Sequence, residues 1–514
     1  MSEIDQTSSP SQAQMFGHPK GLFYLFFAEL WERFSFYGMR ALLTLYMVDE
    51  IFKSFETRDT IATTIYAAYG AFVYATPVVG GILADRLLGY RRAIILGGIL
   101  MALGHFVLAF ENKILFFGAL SLIIAGNGLF KPNISSFVGA LYKQGDRRRD
   151  VGFTIFYMGI NLGAAVAPLF CGWLGKEFGW HYGFGAAGIG MVLGLLVFWN
   201  GLKSNTFGAE GLPPEPEKLN NRKFGIKLKH LVPILTFLCV PVIALMMYYG
   251  PLTIPGIGIV DYKGEAVSYL FYVILAVILY VVIKTLAEVS KVERERLIVV
   301  VLLTFFITLF WAFYELSGST LTLFAQRNVN LFIINASQTN FLTAGFIVVL
   351  ALPFSALWNY LTRIKRNPYT PYKFAIGLTI LALGYVIYAS SAGFADEQGR
   401  VPFAFMFFGY MLFSTGELFM SPVGLSKVTE LSPKKIVSFM MGVWFLAVSF
   451  AFRLIGFIGN KLAIEGSADA ELDTVQSLSV YTNGFQQIAM VTVGGAILAF
   501  IMAPIMKKWM HGIH

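Results

Sequence analysis

The segment Glu29-Leu-Trp-Glu32-Arg33-Phe-Ser-Phe-Tyr37-Gly38-Met-Arg40 sets four charged side chains in a run otherwise apolar enough to cross a membrane. At 100° per residue, Glu29, Arg33 and Arg40 fall within about 40° of one another, with Glu32 about 60° to one side and Tyr37 about 80° to the other. Charge at bilayer depth costs roughly 2.5–3.5 kcal/mol per residue even on mild scales, so this stripe must face protein or water. Two acids and two bases on one face can neutralise each other. They can also take up a proton or hold a charged ligand.

Other apolar runs carry polar residues at i, i+4 spacing, hence on one helical face: Asn127 with Lys131, Tyr157 with Asn161, Trp311 with Glu315, and Glu417 with Ser421. Buried membrane charges normally pair, and Glu29, Glu32, Glu315 and Glu417 stand against Arg33, Arg40 and Lys131. Arg453, left over, reads as snorkelling to the headgroups from the outer end of its helix. The bases belong to the first half of the chain, and two of the acids, Glu315 and Glu417, to the second. A cavity cationic on one wall and anionic on the other suits a zwitterion with well-separated ends, carboxylate to the first half and amine to the second. Tyr37, Tyr74, Tyr157 and Trp311 could line side-chain pockets. His105 reads as a packed, hydrogen-bonded residue.

The elements that must position these groups are membrane helices. In 514 residues, 56% are hydrophobic and 13% charged, too little polar surface for a soluble chain of this size. Spans are expected at 21–48, 60–83, 90–110, 113–142, 150–174, 182–200, 231–250, 267–287, 297–326, 337–361, 372–390, 402–428, 435–460 and 484–506. With basic residues at a span's edge assigned to the adjoining loop, Lys and Arg total 27 in the odd-numbered non-membrane segments and 8 in the even-numbered ones. That alternation places both termini in the cytoplasm, and it explains the net charge of +9 without nucleic acid. The polar N-terminus has no cleavable leader pattern, so the first span is expected to remain. Cys171 and Cys239 both fall in spans and read as small core residues.

The expected organisation is a cytoplasmic tail at 1–20, a six-helix bundle at 21–200, and a cytoplasmic linker at 201–230 with Gly-Leu-Pro-Pro-Glu-Pro. A lipid-facing helix pair follows at 231–288, then a second six-helix bundle at 289–514. Six plus six with a cytoplasmic linker is the layout of transporters built from two pseudo-symmetric halves with a site at the midplane. Between the second and third spans, Gly80-Gly81-Ile-Leu-Ala-Asp85-Arg86-Leu-Leu-Gly89-Tyr-Arg91-Arg92 reads as a tight turn with a breakable latch at Asp85 and Arg86. It matches the loop signature of the major facilitator superfamily. No His-Glu-x-x-His or Gly-x-Ser-x-Gly motif supports a membrane hydrolase, and no metal or cofactor is expected.

Three motifs in order, Glu29-x-x-Glu32-Arg33-Phe with Tyr37-Gly38, Phe156-Tyr157-x-x-x-Asn161-x-Gly163, and Gly416-Glu417-Leu-Phe-Met-Ser421-Pro422-x-Gly-Leu-Ser426, resemble the proton-dependent oligopeptide transporter family. The likeness covers nearly the whole chain, and the pair at 231–288 is similar to that of the prokaryotic branch. The resemblance implies an all-α membrane protein of the major facilitator superfamily fold, with fourteen helices: two six-helix bundles plus a two-helix hairpin. It implies a secondary transporter, not an enzyme, that carries di- and tripeptides with protons through the cytoplasmic (inner) membrane.

By the same resemblance, Glu29, Glu32, Arg33 and Glu315 couple protons, and Arg33, Arg40 and Lys131 hold the peptide carboxylate, assisted by Tyr37 and Tyr74. Glu417 and Asn161 receive the amine, with Tyr157, Trp311 and Ser421 close by. Thr343 stands where many members carry an asparagine near that amine. Arg40 with Glu315, and Lys131 with Glu417, are the expected switchable pairs beside the latch at Asp85 and Arg86. A different anion, a peptide-like compound, or sensing without transport are the rival readings.

The charge alternation generates a direct test of orientation. In a background lacking Cys171 and Cys239, cysteines placed at Ser204 and Asn367 should resist an impermeant thiol reagent applied outside the cell, and one at Ala468 should react. The reverse labelling pattern would overturn the layout.

Overall fold

The computed structural model describes residues 14–143, 146, 148–254, 258–464 and 473–513; position 468 lies outside them. Among the described residues, fourteen helices of twenty or more residues follow one another. They are α1 (Lys20–Tyr46), α2 (Arg58–Leu83), α3 (Gly89–Leu108), α4 (Lys113–Ala140), α5 (Arg148–Glu177), α6 (Trp180–Lys203), α7 (Leu228–Met247), α8 (Glu265–Glu288) and α9 (Lys291–Tyr314), then α11 (Phe341–Arg363), α12 (Thr370–Ser390), α13 (Ala404–Leu431), α14 (Val437–Lys461) and α15 (Thr474–Trp509). The short α10 (Thr320–Asn328) lies between α9 and α11. Eleven described stretches are long and apolar enough to cross a membrane, one of them running through both α2 and α3. The two long helices outside that set, α1 and α13, carry Glu29, Glu32, Arg33 and Arg40, and Glu417.

Local chemistry sets several helix starts. The Asn112 side chain accepts from the backbone N–H groups of Ile114 and Leu115, capping α4. Ser290 and Glu293 form a capping box on α9. Asp473 caps α15, which therefore begins at Thr474 and not at 484; Leu478 and Tyr481 of the extra turns are buried.

The larger departure lies at the expected span 297–326. α9 stops at Tyr314, a 3₁₀ turn covers Glu315–Gly318, and α10 resumes at Thr320. A break at membrane depth frees backbone carbonyls, which is tolerable only where protein re-satisfies them. Here Thr44 donates to the Gly318 carbonyl at 2.7 Å, Thr322 to that of Ser317 at 2.8 Å, and Tyr385 to that of Phe313 at 2.7 Å. Gly318 has to be glycine: a Cβ there would lie 2.0 Å from the Tyr66 hydroxyl and 3.0 Å from Arg40 Nε.

Within the first six helices, α1 packs on α5 and α6, α3 on α4 and α6, and α2 on α4. In the last six, α12 packs on α13 and α15, and α9 on α13, α14 and α15. The sets meet along α2 with α14 and α5 with α11. α7 leans on α4, α8 touches α14, and an antiparallel ribbon joins them, with Tyr249 opposite Lys263. Both helices of this pair expose apolar side chains, among them Phe237 and Val273.

Two expectations are corrected. Cys171 is buried, but Cys239 is exposed, because α7 presents that face outward. His105 is buried with neither ring nitrogen hydrogen-bonded. The segment after α6 is anchored: Phe207 is buried, and Arg91 donates to the carbonyls of Gly208 and Glu210. Asp85 and Arg86 lie exposed in a π turn, with Tyr90 as the polar neighbour of the Asp85 carboxylate.

Candidate functional site

α1 puts Glu29, Glu32 and Arg33 on one buried face, as its periodicity requires. The Arg33 guanidinium donates to both oxygens of Glu32, through Nη2 to Oε1 at 2.6 Å and through Nε to Oε2, and its Nε also lies 3.2 Å from Glu29 Oε1. Asn127 of α4 reaches Glu32 Oε1 at 3.5 Å, and Glu29 Oε2 has no partner. Two carboxylates thus share one guanidinium.

Two turns further on, Arg40 crosses to the other half. Its Nη2 pairs with Glu315 Oε2, and its Nε donates to the Tyr66 hydroxyl at 2.9 Å. The rings of Tyr37 and Tyr66 lie 5.8 and 5.9 Å from the guanidinium carbon. The break after α9 is what brings Glu315 into reach, since the carboxylate sits at the end of the helix and not on its flank.

The expected pair of Lys131 with Glu417 is absent from this conformation. The Lys131 ammonium lies 4.4 Å over the Tyr74 ring, and the polar neighbour of Glu417 is the Tyr314 hydroxyl. Each group has taken a neutral aromatic neighbour from its own half of the chain, and among the described residues neither has an ion-pair partner. One turn beyond Glu417, the Ser421 hydroxyl is buried without a partner.

The remaining expected residues fall in two groups. Tyr37 and Tyr157 are electrostatic neighbours of Glu417, and the Trp311 ring packs edge-on against Tyr314 at 5.0 Å. Asn161 is buried, its amide donating to the Tyr157 carbonyl at 2.9 Å. The Thr343 hydroxyl donates to the Asn340 carbonyl at 2.9 Å, so only its lone pairs remain to offer.

Sequence reasoning missed a second tie between the halves. Arg327 of α10 grips Asp59 of α2 with both Nη atoms, at 2.5 and 2.7 Å, and donates to the Tyr481 hydroxyl of α15 at 2.8 Å. Asp59 also accepts from the Ile464 backbone at 3.1 Å. Nothing local marks this pair, because its members are 268 positions apart and both read as loop residues. Tyr66 and Tyr314 were hidden as ordinary aromatics. Among the described residues, hydrogen bonds between 1–203 and 289–514 gather at one end, where α1 ends and α2, α10 and α15 meet, and include Asn335 to the Gly172 carbonyl and Gln338 to that of Leu169.

Helices set as two packed groups, joined at one end and carrying buried opposite charges between them, define a multi-pass transporter of the major facilitator superfamily fold. The POT family model matches residues 91–463, and the chain belongs to that family, the proton-dependent oligopeptide transporters. It is 36% identical over 517 residues to a peptide transporter of Yersinia enterocolitica, covering 98% of this chain and 97% of the relative. It is 36% identical to the di-/tripeptide transporter of Lactococcus lactis over 86% and 90% of the two chains. Among solved structures, peptide transporter POT in complex with sulfate superposes with a TM-score of 0.82 at 34% identity, covering 98% of each chain. A glutamate-to-glutamine mutant in complex with alafosfalin gives 0.80 over the same coverage and identity.

The pairing of Arg40 with Glu315 carries an energetic consequence. Removing one partner of a buried ion pair typically costs about 3–5 kcal/mol, whereas replacing both with apolar groups is often near neutral. Glu315→Gln should therefore lower the thermal midpoint of the detergent-purified protein, and Arg40→Met with Glu315→Leu should restore much of it. A double variant no more stable than the single one would mean that the pair is not the source of the loss.

Proposed function

We propose that this protein is a proton-coupled symporter that imports di- and tripeptides across the cytoplasmic membrane by alternating access. The observation that carries the reading is the pair of unneutralised groups, Lys131 on the first half and Glu417 on the second. A zwitterion with its carboxylate at Lys131 and its amine at Glu417 supplies the counter-charge each one lacks, and the relatives named as peptide transporters support that class of substrate. Ser421 offers its unpartnered hydroxyl beside the amine, and Tyr157, Asn161, Trp311 and Thr343 border that end. Tyr37 and Tyr74 border the other.

Coupling follows from the sharing of Arg33. Glu32 and Glu29 occupy two of its donor nitrogens, so the bidentate fork that suits a carboxylate is already taken. A proton on Glu32 releases that fork to the peptide, and one on Glu29 removes its competing hold on Nε. A proton on Glu315 frees Arg40 in the same way and unties one link between the halves. The two ties, Arg40 with Glu315 and Arg327 with Asp59, lie at the end that charge alternation assigns to the outside, so this conformation is read as open toward the cytoplasm. Asp85 and Arg86, exposed at the opposite end, would latch it when the outer end opens, Asp85 exchanging Tyr90 for a basic partner. The membrane potential supplies about 2.3 kcal/mol per charge per 100 mV.

A second reading keeps the fold and places an inorganic anion on the Lys131 and Arg wall, as the sulfate complex of the related transporter suggests. In liposomes, competition by dialanine separates the two.

Uptake of a labelled dipeptide into liposomes under an inward pH gradient tests the function. Accumulation is expected, and Glu32→Gln should abolish it while peptide counterflow, which needs no net proton movement, survives. Concentrative uptake by that variant would remove Glu32 from the coupling path.

The amine assignment has its own measurement. N-acetylation of a dipeptide strands the carboxylate of Glu417, and losing a buried charge partner costs about 2–5 kcal/mol, or roughly 30-fold to several thousand-fold in affinity. In Glu417→Ala the acetyl penalty should largely vanish while the penalty for C-terminal amidation persists. An unchanged acetyl penalty would move the amine to Asn161 or Thr343.

A further inference from the structure

Between the extra helix pair and the second helical set lies a groove of about 720 Å³, walled by α8, α9 and α14. Its walls are mostly apolar, with Phe271 and Leu279 from α8, Phe305 from α9, and Ala447 and Phe457 from α14; Thr304 and Thr308 spend their hydroxyls on backbone carbonyls, and Thr64 of α2 and Asn460 bond each other. Several of these side chains are open to the outside: Phe457 is 67% exposed and Phe305 52%. The groove is therefore reached sideways, from where lipid tails lie, and it is separate from the charged site between the halves.

Toward one end the groove is different. Arg453 of α14 lines it, and its Nη2 donates to the Ser268 hydroxyl of α8. Among the described residues Arg453 has no carboxylate partner, unlike Arg33, Arg40 and Arg327. A guanidinium has five N–H donors, so most of its hydrogen-bonding capacity is unspent in an apolar setting where each unmet charge is costly. Ser268 is three residues from the start of α8, about 5 Å along its axis, and Arg453 is eight residues from the end of α14, about 12 Å, a depth from which a long arginine side chain reaches the headgroup boundary. Along α14 the groove runs from Asn460 to Met440, twenty residues or about 30 Å, and Arg453 stands two turns in from the Asn460 end, about 20 Å from Met440. One leaflet's share of the hydrocarbon core is about 15 Å, so the stretch between Arg453 and Met440 is long enough for an acyl chain.

We propose that this groove is a lipid site, holding one phospholipid with its phosphate on Arg453 and Ser268 and an acyl chain along α14 toward Met440. The chemistry selects that occupant. The guanidinium fork matches a phosphate, and the apolar wall rewards a hydrocarbon chain, which no water-soluble anion supplies. A peptide segment would bring backbone groups that these walls cannot hydrogen-bond. Because α8 touches α14 so little elsewhere, the lipid fills the gap that seats the helix pair against the second set.

The test uses the full chain, purified in detergent and stripped of lipid, with thermal midpoint and retained phosphorus as readouts. Dioleoylphosphatidylglycerol should raise the midpoint and leave one phospholipid per chain. Dioleoylglycerol, with the same tails and no phosphate, should give a clearly smaller rise, and glycerol 3-phosphate none. Arg453→Gln should weaken phospholipid binding by about tenfold or more, the worth of a charge-assisted hydrogen bond, and Arg453→Lys by less. Ala447→Trp, which fills the groove and spares the arginine, should also abolish retention. Equal rises from phospholipid and diacylglycerol on the unaltered chain would overturn the proposal whatever the variants do. So would full retention by Arg453→Gln, or a rise from glycerol 3-phosphate that equals that of the phospholipid.

Discussion

A charged side chain at membrane depth must find its counter-charge within the protein, and the rest of this structure is arranged around that requirement. Arg33 meets it locally, through two carboxylates on its own helix. Arg40 meets it across the molecule, through Glu315. The two solutions have different mechanical meanings. A pair within α1 leaves the halves free to move, while a pair between α1 and the end of α9 must break before they separate. Buried pairs are weak sources of net stability but costly to disrupt on one side only.

The pair that crosses the molecule depends on the break between α9 and α10. A continuous helix would carry Glu315 on its flank and hold every carbonyl in its own ladder. Interrupting it at Glu315–Gly318 frees carbonyls that Thr44, Thr322 and Tyr385 then satisfy, so elements of both halves are fastened to the same short turn. Gly318 allows Tyr66 and Arg40 to approach that turn. The site and the tie between the halves are therefore built from one local irregularity, as in transporters whose discontinuous helices line the binding region.

Lys131 and Glu417 stand apart from this scheme because aromatic neighbours, not counter-ions, hold them. A ring face and a phenol hydroxyl are weaker partners than an opposite charge. Arg453 poses the same physical problem outside the central site, in a groove open to lipid. The extra helix pair, packed on α4 through α7 and on α14 through α8, borders both halves without entering the site.

Much of this was legible in the sequence. The number and order of the long helices follow from runs of apolar residues, because transfer into lipid is settled residue by residue along a single helix. The polar face of α1 follows from periodicity alone, since Glu29 and Arg33 are one turn apart whatever surrounds them. Capping at Ser290 and Glu293 is equally local. Partners were not legible. Arg40 and Glu315 are 275 positions apart, and Arg327 and Asp59 are 268, so only the packing of α1 and α2 against α9 and α10 could bring them together. The break at Glu315 escaped notice because its cost is met by Thr44 and Tyr385, which lie far away in the chain. Lys131 took the Tyr74 ring and left Glu417 alone for the same reason: sequence fixes which charges are buried, but the distance between two helices decides which of them can touch.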